Sequence, residues 1–271
     1  MALLCRSYRH RRLISLPASL RLSRNTAAEA RLRDASRAWL ESQDSSRAEG
    51  IHASDLLNPL QAFWKYLEPA PYTDRQVPTF LIGKVLHSFV LGAMEGKVDL
   101  SKTDTGSTYS EDMGFWYSVD WDRDGEVAEF KSARFFKEPR TTDDLRAYIS
   151  QLLLYMAAKN KTEAELWILL LNLRDTSGKT APAFRAYRLR ISEDDLVSLR
   201  AVVREHVQLL KNAIAARDPS TLPLCQEYIC GYDNCPYWDK CKPAGRYGDP
   251  RWDRRVGPPG EKKSPSESDS P

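Results

Sequence analysis

The chain has 271 residues, 42% of them hydrophobic and 28% charged, the balance of an ordinary globular protein able to bury one sizeable core. Its net charge of +3 is too small to support nucleic-acid binding on global charge alone, so such a role needs local patches or a metal ion to manage phosphate repulsion. The charge is also uneven: residues 1–28 hold six arginines and no acid, leaving three net negative charges for the remainder.

The leader through Asn25 is basic and carries Leu and Ser, the composition of an organellar transit peptide, of a disordered basic arm, or of residues added by an upstream start codon. It lacks the continuous apolar stretch of a secretory signal. No apolar run is seen to approach the roughly 20 residues of a membrane span. The protein is therefore expected in the cytoplasm, with organellar targeting by the leader as the alternative. A helical pattern runs over 26–43, with Leu32, Ala35 and Trp39 on one face. After a loop, "IHASDLLNPLQAFWKYL" offers Ser54 as a cap for a short turn and Asn58-Pro59 as the opening of a second helix. Phe63, Trp64 and Tyr66 on that helix either pack its inner face or stack on bases. A strongly apolar helix follows over 79–94, with Gly92 and Gly96 marking its end. Its His87 is either a satisfied core histidine or a ligand.

Residues 97–112 are polar and irregular. A hairpin is expected over about 114–133, turning at Asp124-Gly125. A helix follows over about 143–158, then a buried strand over 165–173 and a strand "AFRAYRLRI" with Arg188 and Arg190 on one face. Ser192 opens a last long helix to about Arg217, presenting Leu196, Leu199, Val203, Val207, Leu210 and Ile214 inward. The order of elements predicts an α/β sandwich around a small mixed sheet. The expected divisions are a leader with the first helix (1–48), a core (49–222), a cysteine segment (223–242) and a disordered tail (243–271).

The hairpin is unusual for its charges. A four-residue loop from Asp122 to Gly125 places Asp120 opposite Val127; a two-residue loop places it opposite Glu129. In either register Asp120, Val127, Glu129 and Lys131 share one face, and Ala128 and Phe130 point the other way into the core. Two carboxylates so close repel and raise each other's pKa unless a cation lies between them. Lys131 is one candidate and a divalent ion the other, with oxygen ligands suiting Mg²⁺ or Mn²⁺; a solvated face with weak salt bridges is the bland alternative. Asp122 and Asp124 are assigned to the turn. Gln151 and Tyr155, at i and i+4, share a face of the helix that follows. Near the C-terminus Cys225, Cys230, Cys235 and Cys241 are spaced C-x4-C-x4-C-x5-C, which fits either zinc or a [4Fe–4S] cluster better than disulfides. Cys5 stands alone.

Taken in order, "GKVLH", Asp-x8-Glu-x-Lys and Gln-x3-Tyr resemble the RecB-like branch of the PD-(D/E)XK nuclease superfamily, which includes CRISPR-associated and phage-encoded iron–sulfur exonucleases. "SDLLNPLQAFW" (54–64) is similar to their opening motif, and the resemblance spans about 50–241. It implies a restriction-endonuclease-like fold and a metal-dependent deoxyribonuclease, with DNA as substrate and recombination or replication proteins as possible partners. By that resemblance Asp120, Glu129, the carbonyl of Phe130 and His87 would ligate Mg²⁺ or Mn²⁺. Lys131 would position the attacking water, Gln151 and Tyr155 would orient the site or contact the DNA backbone, and Cys225, Cys230, Cys235 and Cys241 would hold the cluster. One departure is that many relatives take a cluster cysteine from the opening motif, where this chain has Asn58-Pro59; Cys225 would replace it. A catalytically inactive DNA-binding scaffold and a sequence-specific endonuclease are the competing readings.

Overall fold

The computed structural model describes residues 26–45, 48–96, 106–123, 125–174, 177–223, 225 and 235–241. The leader with Cys5, Asp124, Cys230 and the tail from 242 lie outside these residues. The elements in order are α1 (Thr26–Ser45), α2 (Ala53–Leu57), α3 (Pro59–Leu67), α4 (Gln76–Met94), β1 (Thr108–Ser110), β2 (Phe115–Tyr117), β3 (Trp121–Arg123), β4 (Glu126–Ala133), α5 (Arg146–Lys159), β5 (Glu163–Arg174), β6 (Thr180–Arg190), α6 (Glu193–Ala216) and α7 (Trp238–Cys241).

The apolar run at Leu166–Leu173 becomes the central strand because it has partners on both faces. The main sheet is mixed, in the order β3-β4-β5-β6, with β4 and β5 parallel and the other pairs antiparallel. A parallel pair cannot be joined by a tight turn, and α5 supplies the crossover. On one face of β5, Leu166, Ile168 and Leu170 are fully buried in the main cluster, with Leu152 and Met156 of α5 and Val203, Val207 and Leu210 of α6. On the other face Leu169 meets Phe130 and Leu91 of α4 in a smaller cluster. Helices thus flank the mixed sheet, as the element order implies. Pro59 opens α3 at its first turn, and Ser192 Oγ accepts the backbone N–H of Asp195 at the start of α6.

Several expectations need correction. The loop is the tighter one: Arg123 pairs with Glu126 and Asp122 with Val127. Asp122 is therefore a strand residue, and its carboxylate bonds Lys159 of α5. Phe115–Tyr117 does not belong to this hairpin but pairs with β1, inside the stretch read as irregular. In α1 the buried residue is Leu40, while Leu32 is 71% exposed. Ser54 lies within α2; its first turn is closed instead by Asp55 Oδ2, which accepts the N–H of His52 at 2.8 Å. Phe63 is fully buried and Trp64 packs on the cysteine segment, so helix packing accounts for both. Finally, α4 spans 19 residues with mean hydropathy 1.5, long and apolar enough by length and composition to cross a bilayer, contrary to the sequence reading. Only 17% of that stretch is buried: α4 packs through Leu91 on Phe130, while Phe80, Ile82, Val85, Phe89 and Met94 are exposed.

Candidate active site

β3 begins only at Trp121, so on that edge of β4 the N–H of Phe130 has no strand partner. The carboxylate of Asp120, one residue before the strand, takes it at 2.8 Å through Oδ2. Its other oxygen, Oδ1, lies 2.7 Å from His87 Nε2 on α4. Asp120 therefore sits at the sheet edge and ties β4 to α4. Because the N–H and C=O of one strand residue leave on the same side, the carbonyl of Phe130 lies on this edge as well.

Continuation of the β3–β4 register sets Glu129 across from Asp120, on the face of β4 that looks toward α5. Glu129 is 1% exposed. Its Oε1 accepts a hydrogen bond from Lys131 Nζ, whereas Oε2 is buried and takes no N–H; with a proton between them the Glu129 and Asp120 carboxyls hydrogen-bond to one another. Burial above all, then the charge of Asp120, pushes the Glu129 carboxyl up to about 8. Burial also opposes ionisation of Asp120, but hydrogen bonding to His87 and the charges of His87 and Lys131 outweigh it and leave that carboxyl below its ordinary value. The two acids are driven apart in the manner of a carboxylate pair sharing one site. Burial alone would lower the Lys131 ammonium, yet Glu129 and Asp120 hold it above its ordinary range and keep it charged.

The structure thus brings His87, Asp120, the Phe130 backbone, Glu129 and Lys131 together. The solvated-face alternative fails, because Glu129 is buried. Gln151 and Tyr155 also meet, Gln151 Nε2 donating to Tyr155 Oη at 2.6 Å, and the Tyr155 ring lies 6.3 Å from that of Tyr117. Tyr148 escaped the sequence reading. It lies three residues before Gln151 and seven before Tyr155, on the same helical face. Burial pushes its hydroxyl up, and the nearby charge of Lys131 draws it back, so it belongs beside Lys131. The i, i+3, i+7 spacing was the available signal.

Among the described residues no three His, Cys, Asp or Glu side chains are already arranged as a metal cage. What the site offers a cation is a buried oxygen without an N–H donor, Glu129 Oε2, in a cluster of two acids with one ammonium, where an ion would replace the shared proton. That donor set fits a hard divalent ion preferring oxygen ligands. His87 is engaged with Asp120 in the present arrangement.

Cys225 and Cys241 are buried with Leu60 and Trp64 of α3 and Trp238, and Cys235 is buried as well. Gln61 reaches two of them, through its N–H to Cys225 Sγ at 3.3 Å and its side-chain amide to Cys235 Sγ at 3.8 Å. Burial raises the Cys235 thiol. A groove of about 650 Å³ between α1, α3, α4 and this segment is lined by Gln61, Tyr72, Gln76, Phe80 and Tyr237, and none of the hairpin residues reaches it.

No protein-family model and no curated protein matches the chain. Among solved structures it is similar to that of SSO0001, at 17% identity and a TM-score of 0.46, covering 76% of this chain and 93% of that one. It is also similar to a phage-related exonuclease from Haemophilus somnus 129PT, at 12% identity and a TM-score of 0.41, covering 65% and 99%. A third similar structure is the alkaline exonuclease LHK-Exo from Laribacter hongkongensis, at 16% identity and a TM-score of 0.40, covering 65% and 95%.

Proposed function

We propose that the chain is a divalent-metal-dependent deoxyribonuclease of the PD-(D/E)XK superfamily, acting as an exonuclease on single-stranded or end-containing DNA. The observation that carries this reading is the buried Glu129, with one oxygen held by Lys131 and the other without an N–H donor beside Asp120. Such a group is costly in a core unless a cation completes it. Asp120, Glu129 and the Phe130 carbonyl would hold Mg²⁺ or Mn²⁺, with His87 as a further ligand on releasing Asp120. The ion supplies acidity to a water molecule and neutralises charge on the phosphate. Lys131, fixed by Glu129, points an ammonium at the same place; it orients the attacking water and offsets the negative charge that builds on phosphorus. Gln151 fixes the hydroxyl of Tyr155, giving a polar pair that orients the site or contacts the DNA backbone.

The test is hydrolysis of end-labelled single- and double-stranded DNA. Release of mononucleotides or short products from ends, requiring Mg²⁺ or Mn²⁺ and abolished by chelation, is the expected result. Cleavage indifferent to chelation, or none with any metal, overturns the reading.

For the cysteine segment we propose a [4Fe–4S] cluster held by Cys225, Cys230, Cys235 and Cys241, with zinc as the alternative. The support is three buried cysteines, two of them in one cluster against α3, with amide donors from Gln61 aimed at the sulfurs of Cys225 and Cys235. Anaerobically purified protein should be brown with broad visible absorbance, bleached in Cys235→Ser. A colourless protein with one zinc per chain would decide for zinc.

A further inference from the structure

Beyond the end of β4 an exposed aromatic ring lies against one cation and within two residues of two others, none of them ion-paired among the described residues. Phe136 is 53% exposed. The Arg174 guanidinium lies over its ring, 5.2 Å from the centroid, and the Arg174 N–H donates to the Phe136 carbonyl at 3.2 Å. Arg134 and Lys137 are exposed on the same short stretch. Along β6 the arginines are matched by acids, on both faces of the strand: Arg185 with Glu138, Arg188 with Glu165, Arg190 with Glu163. Arg134, Lys137 and Arg174 form no ion pair among the described residues. Glu138, the acid next in the chain, is occupied by both arms of Arg185, at 2.6 and 2.9 Å. A half-exposed ring with one cation stacked on it and two further unmatched cations within two residues along the chain supplies the elements of a single-strand subsite: cations for phosphates and a π-surface for a base.

Phe136 follows Lys131 by five residues, a span of at most about 18 Å along the chain. A strand bound at this stretch therefore lies within that distance of Lys131, a few nucleotides at most. We propose that Phe136, Arg174, Arg134 and Lys137 form a subsite for single-stranded DNA flanking the scissile phosphate, with a base stacked on the face of Phe136 opposite Arg174. The proposal rests on the nuclease reading of the Asp120–Glu129–Lys131 site for the identity of the strand.

Binding in chelator, where cleavage cannot contribute, tests it separately. Fluorescence anisotropy with labelled oligothymidylate and with an abasic oligomer of equal length should show Phe136→Ala at least about fivefold weaker on the first and unchanged on the second. Phe136→Trp should restore binding. Arg134→Ala with Lys137→Ala should weaken both oligomers and reduce the slope of log K against log salt by about 1.4. Wild-type affinity in Phe136→Ala, equal losses on both oligomers, an unchanged salt slope, or wild-type protein that does not bind oligothymidylate each overturns the subsite. Protein that binds as described but never cleaves removes the nuclease reading and leaves the subsite standing; cleavage with unaltered binding in Phe136→Ala does the reverse.

Discussion

Lys131→Ala is expected to slow single-turnover DNA hydrolysis by on the order of 10²–10³, the usual loss when one fixed charge is taken from the stabilisation of a transition state. DNA affinity should change little, since Lys131 is a quarter exposed and faces the acids of the site. The substitution has a second consequence. Lys131 lowers the Glu129 carboxyl through its charge and its hydrogen bond, so without it Glu129 ionises at still higher pH. At subsaturating metal, where the ion must displace that proton, the rate of the variant should therefore rise with pH over a range displaced upward from that of wild type, which simple loss of structure would not produce. Undiminished turnover, or a uniform loss with the same pH profile and a lowered melting temperature, would remove Lys131 from the chemistry.

Glu129→Gln is expected to make the metal-free protein more stable at alkaline pH while abolishing cleavage. The folded carboxyl titrates at about 8 against an ordinary 4.5. Between those values the folded protein retains a proton that the unfolded chain has released. Stability is thus complete below about 4.5 and falls as pH rises through about 8, by an amount on the order of a few kcal/mol. Glutamine has no proton to lose. Melting temperatures of the two metal-free proteins should agree near pH 5 and diverge towards pH 9, with the variant higher. A divalent cation takes over the role of the proton, so Mn²⁺ should raise the wild-type melting temperature more at pH 8 than at pH 6 and leave the variant nearly unmoved. Parallel pH curves for the two proteins would show that Glu129 is not the strained group.

Much of this was legible from residue order. The apolar run at 166–173 announced a strand covered on both faces, and Leu196, Val203, Val207 and Leu210 announced the buried stripe of α6, because both are local periodicities. The charged trio was legible for the same reason: alternation alone puts Asp120, Glu129 and Lys131 on one side of a hairpin. Burial of Glu129 was not, since it depends on α5 folding back over β4, a non-local event. Nor did the sequence show that β1 would pair with β2, because three-residue strands are too short to display a period. Asp122 was misassigned to the turn on composition; its tie to Lys159 depends on a helix 37 residues away. His87 could be read as core or ligand, and only the fold brings it to Asp120.

The docking of the cysteine segment on α3 has a consequence for how the protein is made. Gln61 meets Cys225 and Cys235 across 164 and 174 residues, Ala70 meets Tyr237 across 167, and Glu68 meets Lys240 across 172. At translation rates of roughly 5–20 residues per second, about 170 residues take on the order of 10–30 seconds. For that interval Leu60 and Trp64 have emerged from the ribosome without the surface that covers them. Such long-range closure is slow on entropic grounds and leaves apolar side chains open to chaperones and to neighbouring nascent chains. The last stretch of the core to be synthesised is thus the one that shields the helix made early, and the yield of soluble protein should depend on how soon that closure follows synthesis.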